Sequence, residues 1–275
     1  MTRFLASLAL TAAVAGLAGT SGSHAPFQGA RADPATDEAQ RLAARVRDRI
    51  TESRNHLERY GYYEEDIEIQ LGRSGAETSR EARVYAVSPA AAGREPDSRL
   101  ISVDGRPPTD EDREEDDERR ADERDESSKE ALKGRERRRE AVEDLRRGLI
   151  VRVEGRETIA GRQLTILAFE PRDGAKLRSR AGLFIRAMKG RIWVTPAGDI
   201  AKAEAELVDD VSVGWGLIAR VWRGSSLRAQ QQPQGDFWLP QDMTAEASGR
   251  TLLFRTFRTR YVVRFWGYKL GAAPE

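Results

Sequence analysis

The clearest pattern along the chain is alternation. In the stretch GRIWVTPAGDIAKAEAEL, Gly190 to Leu207, residues Ile192, Trp193 and Val194 form a short β-branched and aromatic run. Pro196, Ala197, Gly198 and Asp199 then supply turn chemistry. Beyond them Ala201, Ala203, Ala205 and Leu207 alternate with Lys202, Glu204 and Glu206. A period of two predicts a hairpin strand with these four apolar side chains on one face and the charges on the other. Three of the four are alanine. Such a face is smooth and shallow, and it raises the question of what it covers.

Similar runs recur. Tyr62–Leu71, Arg83–Val87 and Arg99–Val103 read as strands separated by polar or Gly/Pro/Ser-rich turns. From Leu149 onward nearly everything reads as strand. Leu149–Glu154, Gln163–Phe169, Arg191–Thr195, Asp199–Leu207, Gly216–Trp222, a short Phe237–Leu239, Thr251–Phe257 and Arg260–Tyr268 follow one another. Short turns between neighbours predict antiparallel pairing.

A period near 3.6 is found in two places. From Asp37 to Tyr60, residues Leu42, Val46, Ile50, Leu57 and Tyr60 recur at three- and four-residue steps, and arginines fill much of the remainder. Asp37 and Gln40 have capping-box spacing, and Gly61 is placed to end the helix. Residues 109–147 form a second, highly charged helical segment, acidic first and arginine-rich later, with Thr109 as its cap. Only Leu132, Val142, Leu145 and small neighbours could dock, so the first half reads as solvated.

About ten strands with one strong helix and one partial helix predict an α+β fold that is mainly antiparallel β. Such a sheet must curl or be covered. The expected architecture is an incomplete, open β-barrel with helices over its mouth.

The chain has 275 residues, 39% hydrophobic and 33% charged, with a net charge of +1. That balance does not suit a chain tuned as a whole for nucleic acid or an anionic membrane. Arg3 and the apolar run from Phe4 to about Leu17 have the form of a secretory signal, too short for a comfortable span. Ala30-Arg31-Ala32 fits a cleavage motif far from the apolar run, and Ala13-Val14-Ala15 and Gly16-Leu17-Ala18 are nearer alternatives; the first divides the chain into a signal at 1–32 and one domain at 33–275. The expectation is export to the periplasm. No cysteine is present, so neither a disulfide nor a lipid-modified amino-terminal cysteine is available.

Candidate chemistry is sparse. Of the two histidines, His24 falls in the signal and His56 on the first helix. A cysteine nucleophile and a His-rich zinc site are therefore excluded. No phosphate loop or dinucleotide fingerprint occurs, and no cofactor or metal is expected. Glu64, Glu65 and Asp66, or Asp209 and Asp210, are paired carboxylates of the kind a glycosidase uses, but they read more simply as solvated strand ends. Arg255, Arg258, Arg260 and Arg264 interleave with Phe254, Phe257, Tyr261 and Phe265. That mixture suits nucleic acid or phosphate, but in an exported chain an outward arginine face over an apolar inward face is the simpler reading, with a lipid headgroup or a partner's acidic patch as the alternatives.

Five strand-and-turn phrases occur in a telling order: YYEEDIEIQL from Tyr62, RLISVDGRPPTDED from Arg99, GRETIAGRQLTILAFEP from Gly155, the Gly190–Leu207 hairpin and DFWLP from Asp236. In this order the chain resembles the outer-membrane lipoprotein-sorting group related to LolA and LolB, from roughly Tyr60 to Tyr268. The resemblance implies an incomplete barrel with a helical lid around an apolar cavity for acyl chains, and no catalysis. Thr195 stands where that group often has an acidic residue.

Strand alternation nominates Ile192, Val194, Ala203, Ala205, Leu217, Ala219, Val221, Leu252 and Phe254 as cavity lining, with Leu42, Val46 and Ile50 beneath the lid. A filled core is the other reading of the same residues. The expected function is a periplasmic carrier or binder of lipid or acylated lipoprotein, with only peripheral membrane contact. The alternative is an envelope stress or interaction sensor module whose charged segment binds a protein partner. A carboxylate hydrolase is the remaining class.

Overall fold

The computed structural model describes residues 34–90, 96–121, 140, 143–145, 147–179, 181–213, 218–251 and 255–274. The expected signal at 1–32 lies outside them, as do Leu217, Leu252 and Phe254.

Among the described residues, twelve strands form one antiparallel sheet. They are β1 (Tyr60–Leu71), β2 (Glu77–Val87), β3 (Ser98–Val103), β4 (Leu149–Ile159), β5 (Arg162–Pro171), β6 (Met188–Val194), β7 (Ile200–Leu207), β8 (Val211–Val213), β9 (Ala219–Val221), β10 (Ser226–Gln234), β11 (Phe237–Thr251) and β12 (Arg255–Leu270). The main path runs β3-β2-β1-β12-β11-β10-β7-β6-β5-β4, with β8 and β9 off it. Its ends, β3 and β4, do not pair, so the barrel is open as expected.

Helix α1 (Pro34–Leu57) packs on β4 and β11. A second helix, α2, covers residues 110–121, and a short α3 spans Ala181–Ile185. Thr109 does cap α2. Its backbone N–H donates to Asp112 Oδ2 at 2.7 Å, and the Asp112 N–H donates back to Thr109 Oγ1 at 3.2 Å. Residues 122–139 of the charged segment lie outside the description.

Gly61 does not end α1. The helix stops at Leu57 and Gly61 lies inside β1. A Cβ there would meet the backbone of Ala272 and Ala273, so this glycine admits the carboxy-terminal chain. The hairpin turn between β4 and β5 matches its sequence signal: Ala160 and Gly161 both have positive φ, 50° and 73°, as a type I′ turn needs.

The sequence pattern misses β10 entirely and most of β11. Their residues, SLRAQQQPQ and FWLPQDMTAEASGRT, are rich in Gln, Ala and small polar types. Apart from Phe237–Leu239, little in them signals a strand. They are strands because β7 and β12 pair with them on either side.

Candidate functional site: a half-covered apolar floor

The register lets one row of side chains be followed across ten strands. It reads Val153, Leu167, Ile192, Ala203, Ala229, Met243, Val263, Asp66, Arg83 and Val103. The adjacent row on the same face reads Val151, Phe169, Gly190, Ala205, Leu227, Ala245, Tyr261, Glu68 and Glu81. Both rows face the helices: Ala203 packs with α1, and Arg83 meets Asp116 of α2 at 3.9 Å.

Along these rows the character changes in three steps. Under α1, the residues of β4 to β7 belong to a packed core that includes Leu42, Val46, Phe169, Ile185, Ile192, Val194 and Ala203. In the middle, on β10 to β12, Leu227 is buried, whereas Ala229, Met243, Ala245, Ala247, Tyr261 and Val263 are half-buried. On β1 the same face turns acidic, with Glu64, Asp66 and Glu68, all half-buried. Beyond it a second, aromatic cluster gathers Tyr60, Tyr62, Tyr85, Leu100 and Leu239. Burial pushes the Tyr62 and Tyr268 phenols well above their ordinary range, so both stay protonated.

The smooth alanine face divides between these zones. A bulge between Trp193 and Val194 shifts the register, so that Trp193 pairs with Lys202 and Val194 with Ile200. Ile200 therefore joins the core under α1, while Ala201 is displaced into a separate cluster with Leu164, Trp193 and Trp238. The expected single face of four is three, because the extra bulge residue reverses alternation at that point. Ala205 lies opposite Gly190, and Phe169 covers that pair: a Cβ on Gly190 would lie 2.5 Å from Phe169 Cζ. Small side chains here make room for the protein's own aromatic ring.

Of the cavity residues nominated from the sequence, Ile192, Val194, Ala203, Val221, Leu42 and Val46 are brought together as buried members of the core under α1. Ile50 and Ala205 pack at its margin. Ala219 is half-buried on β9. Leu217, Leu252 and Phe254 lie outside the described residues. The half-buried positions on β10 and β11 carry no sequence signal, because β10 and the part of β11 beyond Leu239 do not read as strands. The pairing of Ala203 and Ala205 with β10, and of Val263 and Tyr261 with β11, leads to them.

α2 is held on this face by a buried charge network. Asp116, 2% exposed, accepts from the Tyr85 hydroxyl at 2.9 Å and Arg120 Nε at 2.8 Å, and it pairs with Arg119. Burial acts to raise the Asp116 carboxyl. Hydrogen bonds from Tyr85 and Arg119 and the charges of Arg119 and Arg120 outweigh it and hold the group below its ordinary value. The expected fully solvated first half of the charged segment is thus corrected, since one aspartate anchors it. Asp110, Glu111, Glu114, Glu115, Asp117 and Glu118 remain exposed.

The candidate carboxylate pairs find other work. Glu65 pairs with Arg264 at 3.1 Å, and Asp210 with Arg220 at 2.8 Å. Thr195, standing where an acidic residue is common in the resembled group, donates to the buried Asp199 carboxylate at 3.1 Å. Among the described residues no cluster of three or more His, Asp or Glu could hold a metal ion. No described helix is long and apolar enough to cross a membrane.

No protein-family model matches the chain, and no curated protein matches it. Solved structures do. A DUF1329 family protein from Desulfovibrio piger is 12% identical, with 86% of this chain and 93% of that chain covered and a TM-score of 0.28. A domain described as an outer membrane lipoprotein-sorting protein, from Vibrio parahaemolyticus, is 11% identical, with 80% and 90% covered and a TM-score of 0.31. A LolA superfamily protein from Nitrosomonas europaea is 10% identical, with 81% and 93% covered and a TM-score of 0.23. The last two belong to the group that the strand phrases resemble.

Proposed function

We propose that this protein binds an amphiphile, a lipid or lipidated protein, with its hydrocarbon along the half-covered floor of β10 to β12, and acts as a non-catalytic carrier or binder in the periplasm. The observation that carries this reading is the floor itself. Ala229, Met243, Ala245 and Val263 are apolar and half-buried between two packed clusters, with Ala229 against the margin of the first. Each methylene taken from water there is worth about 0.8 kcal/mol, so a modest length of acyl chain supplies useful affinity. The acidic row of β1 would face the amphiphile's polar end. The residues nominated under α1 would act as the rigid wall of the site, with Ala203 and Ala205 at its border.

Native mass spectrometry of the protein purified from its own envelope tests this. Acyl species should co-purify with the natural protein and be lost from Ala245→Trp, whose indole would occupy the floor. A protein that purifies empty, or unchanged acyl binding by Ala245→Trp, would overturn the reading. Ala203 is too deeply buried for the same purpose, because a large residue there perturbs folding.

One observation favours a second reading, that of an interaction module. The exposed acidic residues of α2 are displayed on a helix fixed through buried Asp116, which suits a basic protein partner. An empty protein that co-purifies with one stable partner, lost when Glu111, Glu114 and Glu118 become Gln, would favour it.

A further inference from the structure

A hollow of about 420 Å³ opens between the first turns of α1 and the β4–β5 hairpin. Glu38, Arg41 and Arg45 reach it from α1, and Arg156, Gln163 and Thr165 reach it from the sheet. The helical residues recur at three- and four-residue steps, so they share one face of α1. Arg156 and Thr165 are directly opposed across β4 and β5. Three guanidiniums against one carboxylate leave a clear excess of positive charge.

The guanidiniums are held in place. Arg45 Nη1 donates to the Pro196 carbonyl at 2.8 Å, Arg41 Nε to the Asp37 carbonyl at 3.2 Å, and Arg156 Nη2 to Glu38 Oε1 at 3.2 Å. In these bonds among the described residues each uses one N–H, and a guanidinium has five. Anchored forks with unused donors are suited to an anion, since little side-chain freedom is lost on binding. A planar carboxylate presents two oxygens and satisfies one fork. Three forks, with a hydroxyl and an amide beside them, match the greater oxygen count of a phosphate. The volume is in the range of small-molecule sites.

We infer that this hollow binds a phosphate-bearing small molecule or lipid headgroup through Arg41, Arg45 and Arg156. The inference goes beyond the apolar-floor reading and does not depend on it, because the hollow lies at the β4–β5 end of the sheet and phosphate alone tests it.

The test is calorimetric titration of the full chain with inorganic phosphate and with glycerol phosphate, beside co-sedimentation with phosphatidylglycerol vesicles and with phosphatidylcholine vesicles. Saturable binding is expected. Arg41→Gln with Arg156→Gln should weaken it by about tenfold or more. Both residues are exposed, so the double variant should fold, and its thermal unfolding is checked alongside. Arg41→Lys, which keeps charge but not the fork, should weaken binding less. Arg228→Gln, at an exposed position on β10, should leave it unchanged. Arginine-dependent binding to phosphatidylglycerol vesicles identifies a headgroup, and binding only to the soluble phosphates identifies a free ligand. The inference is overturned by absent saturable binding, by equal loss in Arg228→Gln, or by a polyglutamate peptide binding more tightly than phosphate.

Discussion

Arg49 of α1 donates its Nε–H to the buried carboxylate of Asp199 at 2.8 Å. This bond ties the helix to the β6–β7 turn. The same guanidinium donates to the Asp236 carbonyl at 2.5 Å and sits 4.0 Å from the Phe237 ring, so it also holds the β10–β11 hairpin. One side chain thus joins α1 to the β6–β7 turn and to the β10–β11 hairpin. Replacing it with Met removes the counter-charge from a carboxylate that is only 3% exposed. The expected cost is about 2–3 kcal/mol, below that of a fully buried pair because Arg49 keeps some solvent contact. Urea unfolding monitored by tryptophan fluorescence measures it, and an unchanged midpoint would refute the clamp.

Gly190 is required by Phe169. A side chain at Gly190 would press both the Phe169 ring and the Glu204 backbone. Gly190→Ala should cost about 1–3 kcal/mol through overpacking. Combining it with Phe169→Leu should relieve only the ring contact, leaving the backbone conflict. Chemical denaturation of the two single variants and the double variant reads the coupling.

Asp116 makes stability depend on acidity. Its carboxyl is held below the ordinary value of 3.8 in the folded chain. Its contribution is therefore complete above that value and fades as pH falls through the folded one. The natural protein should lose stability steeply below about pH 4, and Asp116→Asn should lose less over that range while being weaker at neutral pH. Denaturation midpoints across the acid range decide the matter. Parallel curves for the two proteins would show that Asp116 is not the group responsible.

His56 acts in the same direction at higher pH. Its ring stacks on Phe237 at 3.8 Å. Burial first, and then the charges of Arg59 and Arg49, lower its proton affinity below the ordinary 6.5. A folded state that prefers neutral imidazole is most stable above 6.5 and loses that contribution as pH drops below it. Imidazole titration by NMR should give a midpoint below 6.5. Local hydrogen exchange at the end of α1 should quicken on mild acidification, and a midpoint at or above 6.5 would contradict the assignment.

Local sequence determined the elements with strong periodicity. The stripe of Leu42, Val46 and Ile50 marks α1, and the β-branched and aromatic runs mark β1, β3, β5 and β6 with small boundary errors. These signals are legible because side-chain period follows directly from backbone geometry. The antiparallel, mainly β class also follows from short turns between such runs. Tertiary structure decided the rest. The strands β10 and β11 have almost no intrinsic signal and exist because partners on both sides satisfy their backbone hydrogen bonds. The displacement of Ala201 depends on a bulge that no alternation pattern encodes. Whether an alanine lies in packed core, as Ala203 does, or is half-buried, as Ala245 is, depends on which elements pack over its strand. Such packing is a contact between segments distant in the chain, and local periodicity carries no information about it.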